Sequence, residues 1–336
     1  MKPNDFSDAR VLVTGGAGFI GSALVWALNR RGCENIVVCD RLGSTDGKKR
    51  NLTPLRFADY IDADVLQSRL QNGALGKFDL VLHMGACSST TETDASFLTR
   101  NNLEFTKDLA AWALGQKVRF VYASSAATYG DGSAGMEDDD AKLDALRPLN
   151  LYGCSKHLFD LHAKRAGFLN QIVGLKYFNV FGPNEDHKGD MRSVVHKSFG
   201  QVQTEGIIRL FKSYRKDYAD GEQKRDFLYV KDAVTMTLYL AATPKANGLF
   251  NIGSGVARTW LDLARAVFVA LKREPRIEFI EMPEAIRDKY QYFTQANLSR
   301  LRAAGYTAPV TSLEDAVSDY VRNYLVSDRR LDPAVA

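Results

Sequence analysis

The feature that most constrains this chain is a glycine-rich turn joining an aliphatic run to a helical stretch. Val11-Leu12-Val13 passes directly into Thr14-Gly15-Gly16-Ala17-Gly18-Phe19-Ile20-Gly21, and Ser22-Ala23-Leu24 opens the helical pattern. Glycine there permits a tight turn, lets backbone approach a pyrophosphate, and lets helix pack close to strand, with the helix's first N–H groups aimed at the anion. A glycine turn alone is a weak signal. Its setting strengthens it, because a second aliphatic run ends on Asp40, 19 residues beyond Gly21, where a carboxylate can accept from an adenosine ribose hydroxyl. Arg41 adjoins Asp40, and Lys48-Lys49-Arg50 follow. A cation at that place can neutralise a 2′-phosphate, which favours NADP with NAD as the alternative, although lysines in such a loop are also ordinary solvated surface.

Short runs rich in β-branched and aliphatic residues recur between helical stretches: Val11 to Val13, Ile36 to Cys39, Leu80 to His83, Arg119 to Ala123 and Ile172 to Tyr177. They show little polar alternation, as strands covered on both faces do, so the expected fold is α/β, a Rossmann-type doubly wound parallel sheet with crossover helices. After about residue 180 the rhythm changes to longer polar and helical pieces, ending in a helical pattern from Ser312 to Leu325. The expected division is a dinucleotide-binding domain over 1–180 and a smaller C-terminal substrate-binding lobe over 181–330, from which strands return to the first domain. The acidic run Glu137 to Asp140 reads as a solvated loop.

With 44 basic and 40 acidic residues the net charge is only +4, spread along the chain, which argues against a nucleic-acid partner. Cys33, Cys39, Cys87 and Cys154 lack CxxC spacing and read as reduced, packed thiols, and no metal site is expected. The polar stretch Met1 to Arg10 lacks the apolar core of a signal peptide, and the apolar run Ala23 to Leu28 stops at Asn29-Arg30-Arg31, so a soluble cytoplasmic protein is expected.

Tyr152-Gly153-Cys154-Ser155-Lys156 places a phenol and an ammonium on one face of a helix. A phenol titrates near about 10, and a neighbouring cation lowers that value, so Tyr152 can exchange a proton with a substrate hydroxyl. This spacing is common on helices and proves little alone. Upstream, the run ending Val121-Tyr122-Ala123 delivers Ser124-Ser125, and a hydroxyl at the C-terminal edge of a strand is where such sheets present ligand-contacting groups. Ser125 is expected to hydrogen-bond the reacting oxygen.

The glycine turn, the Ser125 segment and the Tyr152/Lys156 pair together resemble the extended short-chain dehydrogenase/reductase family. Leu175 to Pro183, Arg225 to Val230 and Asn251 to Gly255 resemble later signatures of its nucleotide-sugar branch, so the likeness covers nearly the whole chain. Three further stretches, His83 to Glu92, His187-Lys188-Gly189 and Tyr290 to Ala296, are similar to the branch that epimerises ADP-heptose at C6″ for lipopolysaccharide core. That resemblance implies hydride removal by bound NADP+, a 6″-ketone, and hydride return to the opposite face. Inversion puts the hydroxyl proton on opposite sides in the two half-reactions, so one base serves both poorly, and the family's partner base falls on Lys188.

The same resemblance assigns Phe19, Ile20, Asp40, Arg41, Lys48, Asn101, Val180 and the Met84-Gly85-Ala86-Cys87-Ser88 turn to the cofactor, with Lys156 on its ribose and Lys188 beside it. It assigns Asn179, Asp190, Lys197, Phe211, Lys212, Ser213, Tyr214, Arg225 and Tyr290 to the ADP-heptose substrate, and it implies a homo-oligomer, a pentamer by family likeness. Asp190, Lys197 and Phe211 to Tyr214 depart from the family's usual residues, and the loop from Arg215 to Lys224 is longer than usual. Among rivals, a nucleotide-sugar dehydratase needs an acid and base beside Ser125, where Ala126-Ala127 stand. A UDP-hexose 4-epimerase leaves His187-Lys188-Gly189 without a role. A dinucleotide-sensing binding protein should have lost a catalytic member, yet Ser125, Tyr152 and Lys156 are all present.

Overall fold

The structure is a computed structural model that describes residues 6–43, 47–287 and 290–335. Of the Met1 to Arg10 stretch, residues 1–5 therefore lie outside the described part. In chain order the strands are β1 (Val11–Thr14), β2 (Ile36–Asp40), β3 (Asp59–Asp62), β4 (Leu80–His83), β5 (Arg119–Ser125), β6 (Val173–Tyr177), β7 (Asn179–Phe181), β8 (Ile208–Phe211), β9 (Lys224–Tyr229), β10 (Gly248–Ile252), β11 (Ala257–Thr259) and β12 (Ile277–Ile280).

Seven of them form one sheet in the order β10-β6-β5-β4-β1-β2-β3, parallel at every pairing. Residues of β1 and β2 alternate between two cores. Val11, Val13, Ile36 and Val38 pack on one face and Leu12, Val37 and Cys39 on the other, all buried. Covering both faces with helices is what makes such strands read as unbroken apolar runs. The order reverses between β1 and β4, and a crevice opens there at the carboxyl ends of the strands. Two strands of this sheet were not anticipated as such, β3 and β10. Asp59 and Asp62 interrupt the apolar signal in β3, which sits at the sheet edge. Strand β10 lies far along the chain, yet it pairs with β6.

The later chain adds a three-stranded sheet, β11-β9-β7, and a two-stranded one, β12-β8. The Ser312 to Leu325 pattern is helical, with the Ser312 hydroxyl accepting from Asp315 N at 3.1 Å to cap it. The acidic run 137–140 is not a solvated loop: Asp138 is buried and accepts from Asn251 N at 2.8 Å, and Asp140 pairs with Arg300 at 3.0 Å. Asp138 pins the loop to β10 and Asp140 pins it to the short helix Ser299–Ala303, long-range pairings that local composition does not reveal.

Behind the crevice, the helix Leu151–Arg165 buries Gly153, Lys156, His157, Asp160 and Ala163 against the sheet. Asn150 caps it by accepting from Gly153 N at 2.7 Å. A Cβ on Gly153 would stand 2.8 Å from the carbonyl oxygen of Ala127, so glycine lets this helix press onto the turn that follows β5. Fully buried Asp160 joins β5 and β6 to the helix, accepting from Tyr122 and Ser124 hydroxyls at 2.8 Å each and pairing with Lys176 at 3.1 Å. Among the described residues no helix is long and apolar enough to cross a membrane.

Candidate active site

The crevice is a cleft of about 670 Å³, of the size that takes a cofactor or small substrate. At one end is the glycine turn. Gly15 has φ +65°, and a Cβ on it would lie 2.7 Å from Gly85 N, so the two glycine-bearing loops touch backbone to backbone. A Cβ on Gly21 would collide with the carbonyl of Gly15. The helix Phe19–Asn29 begins here with Gly18 at its N-cap, no side-chain cap and no acidic residue in its first turn. Its leading N–H groups are therefore presented to the cleft, an electropositive cradle that fits the pyrophosphate of a dinucleotide.

Asp40 lines the cleft, but its carboxylate is already engaged. Oδ2 accepts from Ala17 N at 3.0 Å, and Oδ1 accepts from Arg41 N at 2.8 Å and Lys48 Nζ at 3.1 Å. Asp40 thus braces the glycine turn, and Lys48 is more than a solvated lysine. The Arg41 guanidinium reaches Asp64 at 2.5 Å and Asn101 Oδ1 at 3.2 Å and does not line the cleft.

Ser125 ends β5, and Tyr152 and Lys156 follow on the helix behind it; all three line the cleft. Ser125 Oγ accepts from Ala127 N at 3.1 Å, and its hydroxyl stands beside the Tyr152 phenol. Burial pushes the Tyr152 phenol up from its ordinary value, and the neighbouring Ser125 hydroxyl only partly offsets it. The lowering expected from sequence is therefore not supplied by the chain's own groups. Burial acts oppositely on Lys156, bringing it down to about 8, against the pull of Asp160.

Lys188 comes from a separate element, the turn Asp186–Met191, where Gly189 takes φ +53°. Its Nζ sits 5.0 Å from the centre of the Phe19 ring and lines the same cleft. Burial lowers its pKa, Lys197 lowers it further, and Glu185 opposes both. Glu185 is buried and ties the two ends of the turn, accepting from Ser193 N and Oγ at 2.6 Å each.

Of the remaining expected residues, Gly15, Gly18, Phe19, Ile20, Gly21, Lys48, Met84 to Ser88, Asn179 and Val180 line the cleft. Asp190 and Lys197 do not; both are exposed, with Lys197 Nζ donating to the Asp190 carbonyl at 2.6 Å. Phe211, Arg225 and Tyr290 gather beside the cleft. The buried Arg225 guanidinium lies 5.0 Å from the Tyr290 ring and 5.7 Å from that of Trp260, and Trp260 lines the cleft and donates to the Tyr290 hydroxyl at 2.8 Å. Lys212 and Tyr214 instead bind Glu281, the lysine at 2.6 Å, and Ser213 N donates to Asp220 at 2.7 Å.

Sequence reasoning missed several positioning residues. Buried Asn102 accepts from Cys87 N at 2.8 Å and donates to the Cys87 carbonyl at 2.9 Å and Ser155 Oγ at 3.0 Å, fixing the Met84 to Ser88 turn to the catalytic helix. His83 lies between the hydroxyls of Thr14 at 2.6 Å and Thr106 at 2.9 Å, and burial takes its pKa down to about 3, so it stays neutral. Trp260 was not anticipated either.

Residues 11–253 match the NAD dependent epimerase/dehydratase family. The chain belongs to that family. It is 55% identical over 317 residues, 94% of this chain and 98% of the relative, to an ADP-L-glycero-D-manno-heptose-6-epimerase of Nitratidesulfovibrio vulgaris strain DP4. It is 44% identical over 330 residues to one from Fusobacterium nucleatum, covering 95% of this chain and 98% of that one. The crystal structure of Helicobacter pylori ADP-L-glycero-D-manno-heptose-6-epimerase superposes with a TM-score of 0.81 at 28% identity, covering 95% of this chain and 96% of that one. A Bacillus cereus UDP-glucuronic acid 4-epimerase in complex with UDP-glucuronic acid and NAD is similar at TM-score 0.76 and 25% identity, covering 95% and 99%. This epimerase is thus an isomerase acting on a sugar, with a nicotinamide dinucleotide as its cofactor.

Proposed function

We propose that this epimerase converts ADP-D-glycero-β-D-manno-heptose to ADP-L-glycero-β-D-manno-heptose by inverting C6″, through two bases facing one cleft. The observation that carries the reading is the placement of Tyr152 and Lys188 on unrelated elements, the helix after β5 and the turn after β7, both lining the cleft beside the glycine turn. A bound dinucleotide supplies the hydride acceptor and donor. Tyr152, beside Ser125, takes or returns the hydroxyl proton in one epimer, and Lys188 does so in the other. Lys156, held neutral more readily by burial, contacts the ribose and adds positive charge beside Tyr152 when protonated.

The dinucleotide we assign is NADP, with NAD as the alternative. The Asp40 carboxylate is already compensated by Ala17 N, Arg41 N and Lys48, which weakens its repulsion of a 2′-phosphate. Residues 1–180 hold this cofactor and 181–330 the ADP-heptose, with β10 returning to the main sheet. Arg225, stacked between Tyr290 and Trp260, offers a planar guanidinium to the diphosphate, while Asn179 reaches it from the cleft wall. The assembly we assign is a homo-oligomer, a pentamer by family likeness, which sedimentation equilibrium checks.

The test is the double variant Tyr152→Phe/Lys188→Ala. It should keep its dinucleotide, seen by absorbance, and lose epimerisation of ADP-heptose. Near-normal turnover by the double variant would remove the two-base scheme.

A further inference from the structure

Asn184 takes no part in this chemistry, yet it connects the Lys188 turn to two remote segments. It is fully buried and adopts a left-handed backbone conformation, φ +76°. Its Nδ2 donates to Ser22 Oγ, in the helix that follows the glycine turn, at 3.0 Å, and its Oδ1 accepts from Leu331 N at 3.0 Å. Its carbonyl accepts from Asn51 Nδ2 at 3.0 Å, and the same Nδ2 donates to the Ala17 carbonyl at 3.0 Å. Two residues on, Asp186 makes a second link. Its Oδ2 pairs with Arg330 at 3.3 Å, and its Oδ1 lies 3.2 Å from His196 Nε2.

The chain around Arg330 is itself anchored. Arg330 reaches Asp328 at 3.1 Å, Asp328 pairs with Arg50 at 2.6 Å, and Leu331 is fully buried in the core. Trp26 Nε1 donates to the Asp332 carbonyl at 3.2 Å, and Arg30 donates to that of Val335 at 2.9 Å. Both donors belong to or adjoin the helix Phe19–Asn29. The turn that carries Lys188 is short and contains a left-handed glycine, so it lacks the regular ladder that would fix it from within. Beyond the Glu185 bonds that tie its ends, its position is set from outside. The half-buried Arg330–Asp186 pair is directional, because a guanidinium meets a carboxylate in a defined geometry.

We infer that the segment Asp328 to Leu331 is a positioning strap for the Lys188 turn, acting through Asn184 and Asp186 to hold that turn at a fixed separation from the glycine turn. The inference rests on the reading of Lys188 as the second base. A catalytic group displaced by an ångström loses much of its effect, whereas Tyr152 sits on a helix fastened by other contacts and should not feel the strap.

The experiment mixes the full-length, dinucleotide-loaded enzyme with each C6″ epimer separately and follows formation of reduced dinucleotide in a single turnover. Lys188→Ala identifies the epimer whose oxidation depends on Lys188. Asn184→Gly keeps the left-handed backbone and the carbonyl bond to Asn51 but deletes the bridge; Arg330→Ala deletes the second link. Both should slow oxidation of that epimer about 10- to 100-fold and leave the other within about twofold. Arg330→Lys should recover part of the loss. Equal slowing of both epimers, or slowing of neither, overturns the strap when Lys188→Ala is itself selective. If Lys188→Ala slows both epimers alike, the two-base reading falls and the strap with it. Should Arg330→Ala fail to fold, the near-isosteric Asp186→Asn carries the test with the same outcomes.

Discussion

The two ends of the cleft are built differently. At the dinucleotide end, the groups that matter are backbone atoms and side chains at the ends of parallel strands: the glycine turn after β1, Ser125 at the end of β5, and a capped helix pressed against it. At the other end, Phe211, Arg225, Trp260 and Tyr290 come from four separate stretches and meet through ring contacts and one hydrogen bond. Regular structure fixes the first end, and side-chain packing shapes the second. The first should therefore govern chemistry and the second affinity.

The largest effect should fall on the first end. Tyr152→Phe keeps the ring in its packing and removes the acid-base group, so turnover should drop by about 10²–10⁴-fold with dinucleotide still bound. A large rise in KM with unchanged kcat would break the division of labour. Next is Arg225→Lys, which keeps the charge but loses the planar stack on Tyr290 and Trp260. It should raise KM for ADP-heptose by about tenfold, a change of roughly 1.4 kcal/mol, and leave kcat nearly unchanged. A fall in kcat alone would place Arg225 in the chemistry.

A smaller, pH-dependent effect sharpens the contrast. Burial brings Lys156 down from 10.5 to about 8, so the folded protein binds this proton less tightly than the unfolded chain does. The penalty is fully present below about pH 8 and is relieved as pH rises from about 8 to 10.5. In protein stripped of dinucleotide, Lys156→Met should therefore melt higher than the parent near neutral pH, with the gap narrowing across that window. A gap independent of pH would contradict this. The smallest effect belongs to Lys212→Ala. Its ammonium is solvated and paired with exposed Glu281, so kinetics and melting should barely change; a marked rise in KM would move this residue into the substrate site.

The same contrast explains what the sequence made legible. Gly15, Ser125, Tyr152 and Lys156 announce themselves because a turn, a strand end and a helical repeat of four are local patterns with one geometric meaning. Lys188 emerged only by resemblance, since a lysine between His187 and Gly189 has no local sign of a cleft. Trp260 and Asn102 carried no signal: each acts through partners more than ten residues distant, Tyr290 for the first and Cys87 for the second. Asp40 was legible as a residue at the site but not as a brace, because its acceptance from Ala17 N depends on how the turn folds back over β2. The buried Asp138, placed in a run that looks solvated, shows the same limit.

The most direct test of the central claim is to incubate the purified protein with ADP-D-glycero-β-D-manno-heptose, without added cofactor, and determine the configuration at C6″. The account predicts an equilibrium mixture of the two C6″ epimers with no net oxidised product. Recovery of the starting epimer alone, while a UDP-hexose is inverted at C4″, would contradict it.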